Sequence, residues 1–254
     1  MFLQPNVQEL KFINYLQTAI KEKRGFSVVR FGDGEIQFLK KQLSPPVEER
    51  IHRGDFYKTT SEAIECANKI LYYCLTNTDF IGVMDFDNII FKRLRDTKTS
   101  WGIPHSLLSD LNRKKRIKVV DHMIFRDRIF GNPKNFKKVI NGERICIVHP
   151  FVDKMKDNGL EKILQTKIRY IKTPYLISMK TEDQNRMSLF NKLDSIEENI
   201  VLYGCSIRAK DIGCYLASRN KIALDYGATL DAWAGVISRG WFNKGNLQEY
   251  CLIK

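Results

Sequence analysis

The sequence predicts an α/β fold, a mostly parallel sheet with helices on both faces, and three observations carry that prediction. Short runs that are apolar throughout, such as Ile145-Cys-Ile-Val148 and Ile200-Val-Leu-Tyr203, match strands buried on both faces. Longer stretches with helical spacing lie between them, bounded by glycine, asparagine and proline. Strand and helix signals alternate along the chain, as they do where helices cross over between parallel strands. A chain of 254 residues accommodates a single domain over 1–254.

Taken in order, the first helix is expected from Val7 to Lys23, with Leu10, Ile13, Leu16 and Ile20 on one face and Gly25 closing it. Phe26-Ser-Val-Val-Arg-Phe31 reads as a strand that breaks at Gly32-Asp33-Gly34, and Glu35–Leu39 reads as a helix. After a loop marked by Ser44-Pro45-Pro46, Thr59 with Glu62 forms a capping-box pattern for a helix running through Cys74. Asp79–Met84 and Ile117–Val120 are the next strands. Asn132-Pro133 opens a helix that Gly142 closes. The remaining pattern is strand Ile145–Val148, helix Lys154–Leu164, strand Ile168–Ile171, helix Glu182–Ile196, strand Ile200–Tyr203, helix Ser206–Ser218 and strand Ile222–Asp225. No internal repeat or low-complexity linker interrupts it.

The net charge of +13 predicts attraction to polyanions, among them nucleotide phosphates, anionic lipid and nucleic acid. The dense run Arg113-Lys114-Lys115-Arg116 is either a solvated loop leading into a strand or a patch that touches a membrane or an acidic acceptor. No helix-turn-helix, zinc or RNA-binding signature accompanies the charge, so no nucleic-acid partner is expected. The six cysteines show no metal-site or redox spacing and sit mostly in apolar stretches, as reduced buried thiols of a cytoplasmic protein do. Neither a signal peptide nor an apolar run of spanning length is evident, so any membrane contact is expected to be peripheral, at the inner face.

In a parallel sheet, ligands bind beyond the carboxyl ends of the strands, which directs attention to Gly32–Glu35, His149, Gly204–Ser206 and Asp225–Gly227. Asp33 and Glu35, separated by Gly34, either hold a hard divalent cation or cap the following helix. Gly32 and Gly34 let the backbone turn and a ligand approach closely, and Arg30 can clamp a phosphate or a carboxylate. Tyr203-Gly204-Cys-Ser206-Ile-Arg208 reads as a strand-to-helix turn that cradles phosphate or is simply capped by Ser206, with Arg208 adding positive charge. Asp225 closes a strand before Gly227 and either binds a ribose or sugar hydroxyl or satisfies the loop backbone. Trp233 is core or a ligand platform. Arg126, Arg128 and Lys180 are further cations for a diphosphate leaving group, with His122 and His149 nearby in strand-end positions.

These pieces together resemble the GT-D-type glycosyltransferases. The family hallmark, Arg-Phe-Gly-Asp-Gly-Glu, is matched at Arg30–Glu35; Tyr203–Ser206 looks like its strand-glycine turn, Ile222–Trp233 like its C-terminal Ala-Ile-Asp-Ile-Gly segment, and Ile124–Arg128 like its Phe-Ile-Ser-Arg segment. Tyr226 stands where isoleucine is usual and Ser206-Ile-Arg208 replaces a Pro/Thr-Ala pattern. The resemblance, over about residues 8–240, implies a Rossmann-like fold, Mn²⁺ or Mg²⁺ held by Asp33 and Glu35, and a nucleoside-diphosphate sugar, of the uridine type, as hexose donor. It implies a glycan, glycolipid or glycoprotein acceptor in bacterial surface-glycan assembly. Arg30, Arg126, Lys180 and Arg208 would assist the leaving group, with Gly32, Gly34, Gly204, Ser206, Asp225 and Gly227 lining the donor. Asp231, Asp225 and His149 are the candidates for general base. Two rival functions use the same features: a metal-dependent phosphohydrolase or nucleotidyltransferase, and a non-enzymatic polyanion binder.

Overall fold

The computed structural model describes residues 5–45, 48, 59–83, 118–121, 124, 130–173, 182–205, 207 and 210–236, with the side chains of residues 33 and 182–185 outside that description. Seven strands form one sheet: β1 (Phe26–Arg30), β2 (Phe80–Val83), β3 (Lys118–Asp121), β4 (Ile145–His149), β5 (Ile168–Lys172), β6 (Ile200–Tyr203) and β7 (Ile222–Asp225). Every pairing is parallel, and the order across the sheet is β3-β2-β1-β7-β6-β4-β5. Around it lie α1 (Glu9–Glu22), α2 (Asp33–Leu39), α3 (Thr60–Asn77), α4 (Pro133–Ile140), α5 (Val152–Asp157), α6 (Leu160–Leu164), α7 (Glu182–Asp194), α8 (Ile212–Ala217) and α9 (Ala228–Trp233).

The apolar runs become strands because both faces of each are covered. Successive residues of β1 and β7 alternate between the two faces of the sheet. Phe26, Val28, Ile222 and Leu224 join the core beneath α1, α4 and α9, whereas Val29 packs with α2 and α3 and Ala223 with α8. The first core is rich in rings: Phe12, Phe26, Phe80 and Phe130 lie within 6 Å of one another along a chain of tilted and edge-on contacts. Trp233 belongs to it, fully buried against Phe136 and Tyr226, so it is core and not a ligand platform.

Several helix ends follow from local chemistry. Thr59 Oγ1 accepts the Glu62 N–H at 3.2 Å, and Asn132 Oδ1 accepts the Lys134 N–H at 2.9 Å, as the capping patterns predict. Other expectations need correction. Leu10 is 70% exposed, and the buried stripe of α1 is Phe12, Leu16 and Ala19. Lys23, with φ 49°, closes that helix before Gly25 is reached. Gly25 instead serves packing. A Cβ there would sit on the Ala217 carbonyl oxygen, so glycine lets the end of α8 pack against the start of β1. The helix expected over Lys154–Leu164 is divided into α5 and α6 by Gly159, whose φ of 73° interrupts the helical path. The helix expected over Ser206–Ser218 begins only at Ile212.

The connections from the two central strands diverge. β1 leads into α2, whose Ile36, Phe38 and Leu39 pack on one face of the sheet, and β7 leads into α9, whose Leu230 and Trp233 pack on the other. Chains leaving neighbouring strands toward opposite faces open a crevice at the carboxyl edge, the usual ligand position in such sheets. No helix among the described residues is long and apolar enough to cross a membrane.

Candidate active site

The crevice between β1 and β7 contains a buried ionic network. Asp225, 2% exposed at the end of β7, accepts the Arg30 backbone N–H at 3.0 Å through Oδ2, and its Oδ1 lies 3.7 Å from Arg30 Nε. Lys210, from the turn before α8, donates from Nζ to Asp225 Oδ2 at 2.5 Å and to the Arg30 carbonyl at 2.9 Å. The same Nζ lies 3.2 Å from Glu35 Oε1. Two hydrogen bonds and a close ion pair thus surround the ammonium, as a buried charge requires. Burial works against the charge of Lys210, but Asp225 and Glu35 beside it outweigh that, and its pKa is raised above the ordinary lysine value. Arg30, Lys210, Asp225 and Glu35 together carry two positive and two negative charges, so this cluster is neutral.

Glu35 does two things at once. Its Oε2 accepts the Gly32 N–H at 2.9 Å, which caps the start of α2, while its Oε1 faces Lys210. Gly32 is extended, with φ −90° and ψ −168°, and its role is that of helix cap. Beside Gly34 a Cβ would meet no atom of the described residues within 4 Å, so their packing does not demand glycine there. Asp33 is the first residue of α2, and its side chain lies outside the description.

The turns after β6 and β7 lie against each other. A Cβ on Gly204 would come within 2.9 Å of the Gly227 carbonyl oxygen and 3.2 Å of His149 Cδ2. Gly227 has φ 47° and ψ −131°, a conformation that residues with a side chain avoid, and a Cβ there would fall on the Arg30 guanidinium. Next to these turns, His149 Nε2 lies 3.0 Å from Asp231 Oδ1. Cys205, in the turn after β6, has its thiol pushed up to about 12 by burial, so it is an inert packing residue.

The structure thus brings together Arg30, Gly32, Glu35, Gly204, Asp225, Gly227 and Asp231 at one sheet edge. Arg126, Lys180, Ser206 and Arg208 lie outside the described residues, as do His122 and Arg128. Sequence reasoning missed Lys210. Among 42 lysines and arginines nothing local distinguishes it, and only the fold shows that its turn points inward. Of the two readings of Asp225, the geometry displays backbone anchoring, since its carboxylate is committed to Arg30 and Lys210.

Among the described residues no three His, Cys, Asp or Glu side chains converge on a metal position. Mg²⁺ and Mn²⁺ sites on phosphorylated substrates commonly use only one or two carboxylates plus phosphate oxygens, so such a site does not need three. Glu35 and Asp33, two residues apart at the start of α2, are carboxylates of the type such an ion takes, with Glu35 turning Oε1 to Lys210 and Oε2 to the Gly32 N–H.

A doubly wound parallel sheet with an acidic, arginine-bearing turn in its central crevice is a ligand-binding α/β architecture, and comparison with known proteins says of which family. A family model described as the GT-D fold-like domain matches residues 7–233, and the chain belongs to that family. Among solved structures it is similar to one described as a new glycosyltransferase (DUF1792) from Streptococcus sanguinis, with 17% identity, TM-score 0.55, and coverage of 95% of this chain and 92% of that one. It is also similar to a structure described as showing that the highly conserved domain of unknown function 1792 has a distinct glycosyltransferase fold, with 17% identity, TM-score 0.57, and coverage of 95% and 89%. A selenomethionine-substituted structure of the same domain matches equally, with TM-score 0.57. A search of curated proteins found no significant match.

Proposed function

We propose that this chain moves a hexose from a nucleoside-diphosphate sugar, of the uridine type, to a hydroxyl of a glycan, glycolipid or glycoprotein acceptor with the help of Mn²⁺ or Mg²⁺. The observation that carries the reading is the placement of Arg30–Glu35, which spans the end of β1 and the start of α2 beside the central crevice and is tied to β7 through Asp225. Asp33 and Glu35 are the residues that would hold the cation. When bound, that ion supplies charge stabilisation to the departing diphosphate.

The chain's own residues divide the remaining work. Arg30, wedged against the turn at Gly227, sets the β1 edge, and Lys210 with Asp225 holds that edge in register with β7. The glycine turns at Gly204 and Gly227 would bring backbone close to the donor, and Ser206, Arg208, Arg126 and Lys180 are the residues the family resemblance offers for further anion contacts. Asp231 is the proton acceptor for the attacking hydroxyl. Asp225 is locked by two cations and His149 is 2% exposed, whereas Asp231 retains 13% exposure at the crevice edge. In an inverting transfer the acceptor oxygen attacks the anomeric carbon, its proton passes to Asp231, and the bond to the diphosphate oxygen breaks. The basic surface of the chain suits a peripheral position on an anionic membrane face on the cytoplasmic side, where such acceptors are assembled.

The test is incubation with a panel of nucleotide sugars and Mn²⁺, reading free nucleoside diphosphate and glycosylated product. Asp33→Asn is expected to abolish metal-dependent turnover while thermal unfolding stays within a few degrees of the parent. Undiminished turnover, or inorganic phosphate as the released product, would overturn the assignment.

A further inference from the structure

We propose that the Lys210 ammonium neutralises Glu35 ahead of any ligand, so that the site formed by Asp33 and Glu35 takes a divalent cation only together with a nucleoside diphosphate. The inference rests on the assignment of those two carboxylates to the cation given above.

Lys210 is a fixed charge. Its side chain is 8% exposed, and Nζ donates to Asp225 Oδ2 on β7 and to the Arg30 carbonyl on β1. Its backbone is held as well, since the Lys210 N–H donates to the Ile207 carbonyl at 3.2 Å and the Lys210 carbonyl accepts the Gly213 N–H at 3.3 Å. An ammonium tethered to two paired strands does not swing aside when a second cation arrives. Glu35 is restrained in turn, because Oε2 accepts the Gly32 N–H at the start of α2 while Oε1 lies 3.2 Å from Nζ. A Glu35 side chain that left the ammonium would leave the helix cap too.

Charge decides the consequence. Arg30 and Lys210 balance Asp225 and Glu35, so this buried network presents no net negative charge, while the turn itself adds the carboxylate of Asp33. Hard divalent ions take carboxylates together with phosphate oxygens. The phosphate oxygens of a nucleoside diphosphate therefore supply the negative charge that Lys210 cancels. By linkage, the same diphosphate binds more tightly when the cation is present. A neutral side chain at position 210 would leave Glu35 uncompensated and able to draw a cation without the diphosphate.

The test is the affinity for Mn²⁺ alone, read from free Mn²⁺ by electron paramagnetic resonance and from calorimetry, and repeated with uridine diphosphate. The parent, Lys210→Met, Lys210→Arg and the double variant Lys210→Met with Glu35→Gln are compared below the unfolding range of each. In the parent, uridine diphosphate is expected to tighten Mn²⁺ by at least about 10-fold beyond the complex that the two form in solution. Lys210→Met is expected to tighten Mn²⁺ alone by at least about 10-fold, because the repelling ammonium is gone. Lys210→Arg keeps the charge and should take up Mn²⁺ alone as weakly as the parent does. Adding Glu35→Gln to Lys210→Met should erase the gain.

The sign of the change separates this role from a structural one. A lysine that only held the crevice together would lose Mn²⁺ affinity along with stability, whereas here a destabilised variant gains affinity. Unchanged or weaker binding of Mn²⁺ alone by folded Lys210→Met, or a gain that survives Glu35→Gln, would overturn the inference and leave the glycosyltransferase reading intact. Tight binding of Mn²⁺ alone by the unsubstituted protein, unaltered by uridine diphosphate, would do the same without any variant. No uptake of Mn²⁺ by the unsubstituted protein, with or without uridine diphosphate, would overturn the cation assignment and this inference together.

Discussion

Replacing Lys210 by methionine removes the ammonium while keeping a similar volume, so the effect reports the buried network and not a cavity. In the parent, Nζ contacts Asp225 Oδ2 at 2.5 Å, the Arg30 carbonyl at 2.9 Å and Glu35 Oε1 at 3.2 Å. Breaking a buried pair by deleting one partner typically costs about 3–5 kcal/mol, because the remaining charge stays out of water. Asp225 is 2% exposed and cannot recover solvent, but it keeps the Arg30 N–H at 3.0 Å and the guanidinium at 3.7 Å. The expected loss therefore lies near the lower end, about 3 kcal/mol. For a chain of this size that corresponds to a fall in Tm of roughly 6–12 °C.

Thermal and urea unfolding followed by circular dichroism measure it, with the m-value checked for constancy. Lys210→Met, Asp225→Asn and the double variant form a cycle whose coupling energy should exceed about 1.5 kcal/mol, since the double variant removes one charge of each sign and leaves the cluster neutral, with Arg30 and Glu35 remaining. A loss below about 1 kcal/mol, the range of exposed pairs, would show that the network is solvated and that the crevice is not held as described.

Other outcomes follow from the same geometry. Gly227→Ala should destabilise by more than about 2 kcal/mol and reduce turnover, since φ 47° with ψ −131° disfavours any Cβ and the Cβ would displace the Arg30 guanidinium; near-parental Tm and rate would count against the close approach. Gly34→Ala should leave Tm within about 1 °C, because no atom of the described residues lies within 4 Å of the added carbon, and any loss of donor binding measured by calorimetry then reports room reserved for ligand. Removal of divalent cation with a chelator should abolish the thermal stabilisation conferred by nucleoside diphosphate, and persistence of that stabilisation would speak against a bridging ion. Burial pushes the Cys146 and Cys205 thiols up to about 12, so at pH 8 neither should be alkylated in the folded protein, while both react in denaturant; mass spectrometry of native labelling checks this.

The parallel sheet was legible because strands buried on both faces must be apolar at consecutive positions, as in Ile145–Val148 and Ile200–Tyr203. Helix starts at Thr59 and Asn132 were equally legible, since a cap is written within three or four residues. Helix lengths were not. The helical spacing of 154–164 continues through Gly159, and only its positive φ divides α5 from α6. The stripe of α1 shifted for a related reason, since Phe12 rather than Leu10 found rings to pack against across the sheet.

At the site, the local and the long-range parts separate in the same way. Arg30 through Glu35 are contiguous, so their composition alone marked an acidic turn at a strand end, and sequence suffices to place that turn in a parallel α/β enzyme. Which partners those residues meet is another matter. Arg30 and Asp225 stand 195 positions apart, and Lys210 reaches the Arg30 carbonyl across 180 positions. A buried ion pair is specified by where two chain segments fold against each other, and no local pattern encodes it. His149 likewise meets the Phe151 backbone N–H on one side and Asp231 on the other only because separate segments fold together. The sequence by itself determined the sheet and the composition of its strand-end turns, because these depend on neighbours in the chain. Tertiary structure alone decided which charges neutralise one another and which carboxylate stays at the crevice edge, because both depend on neighbours in space.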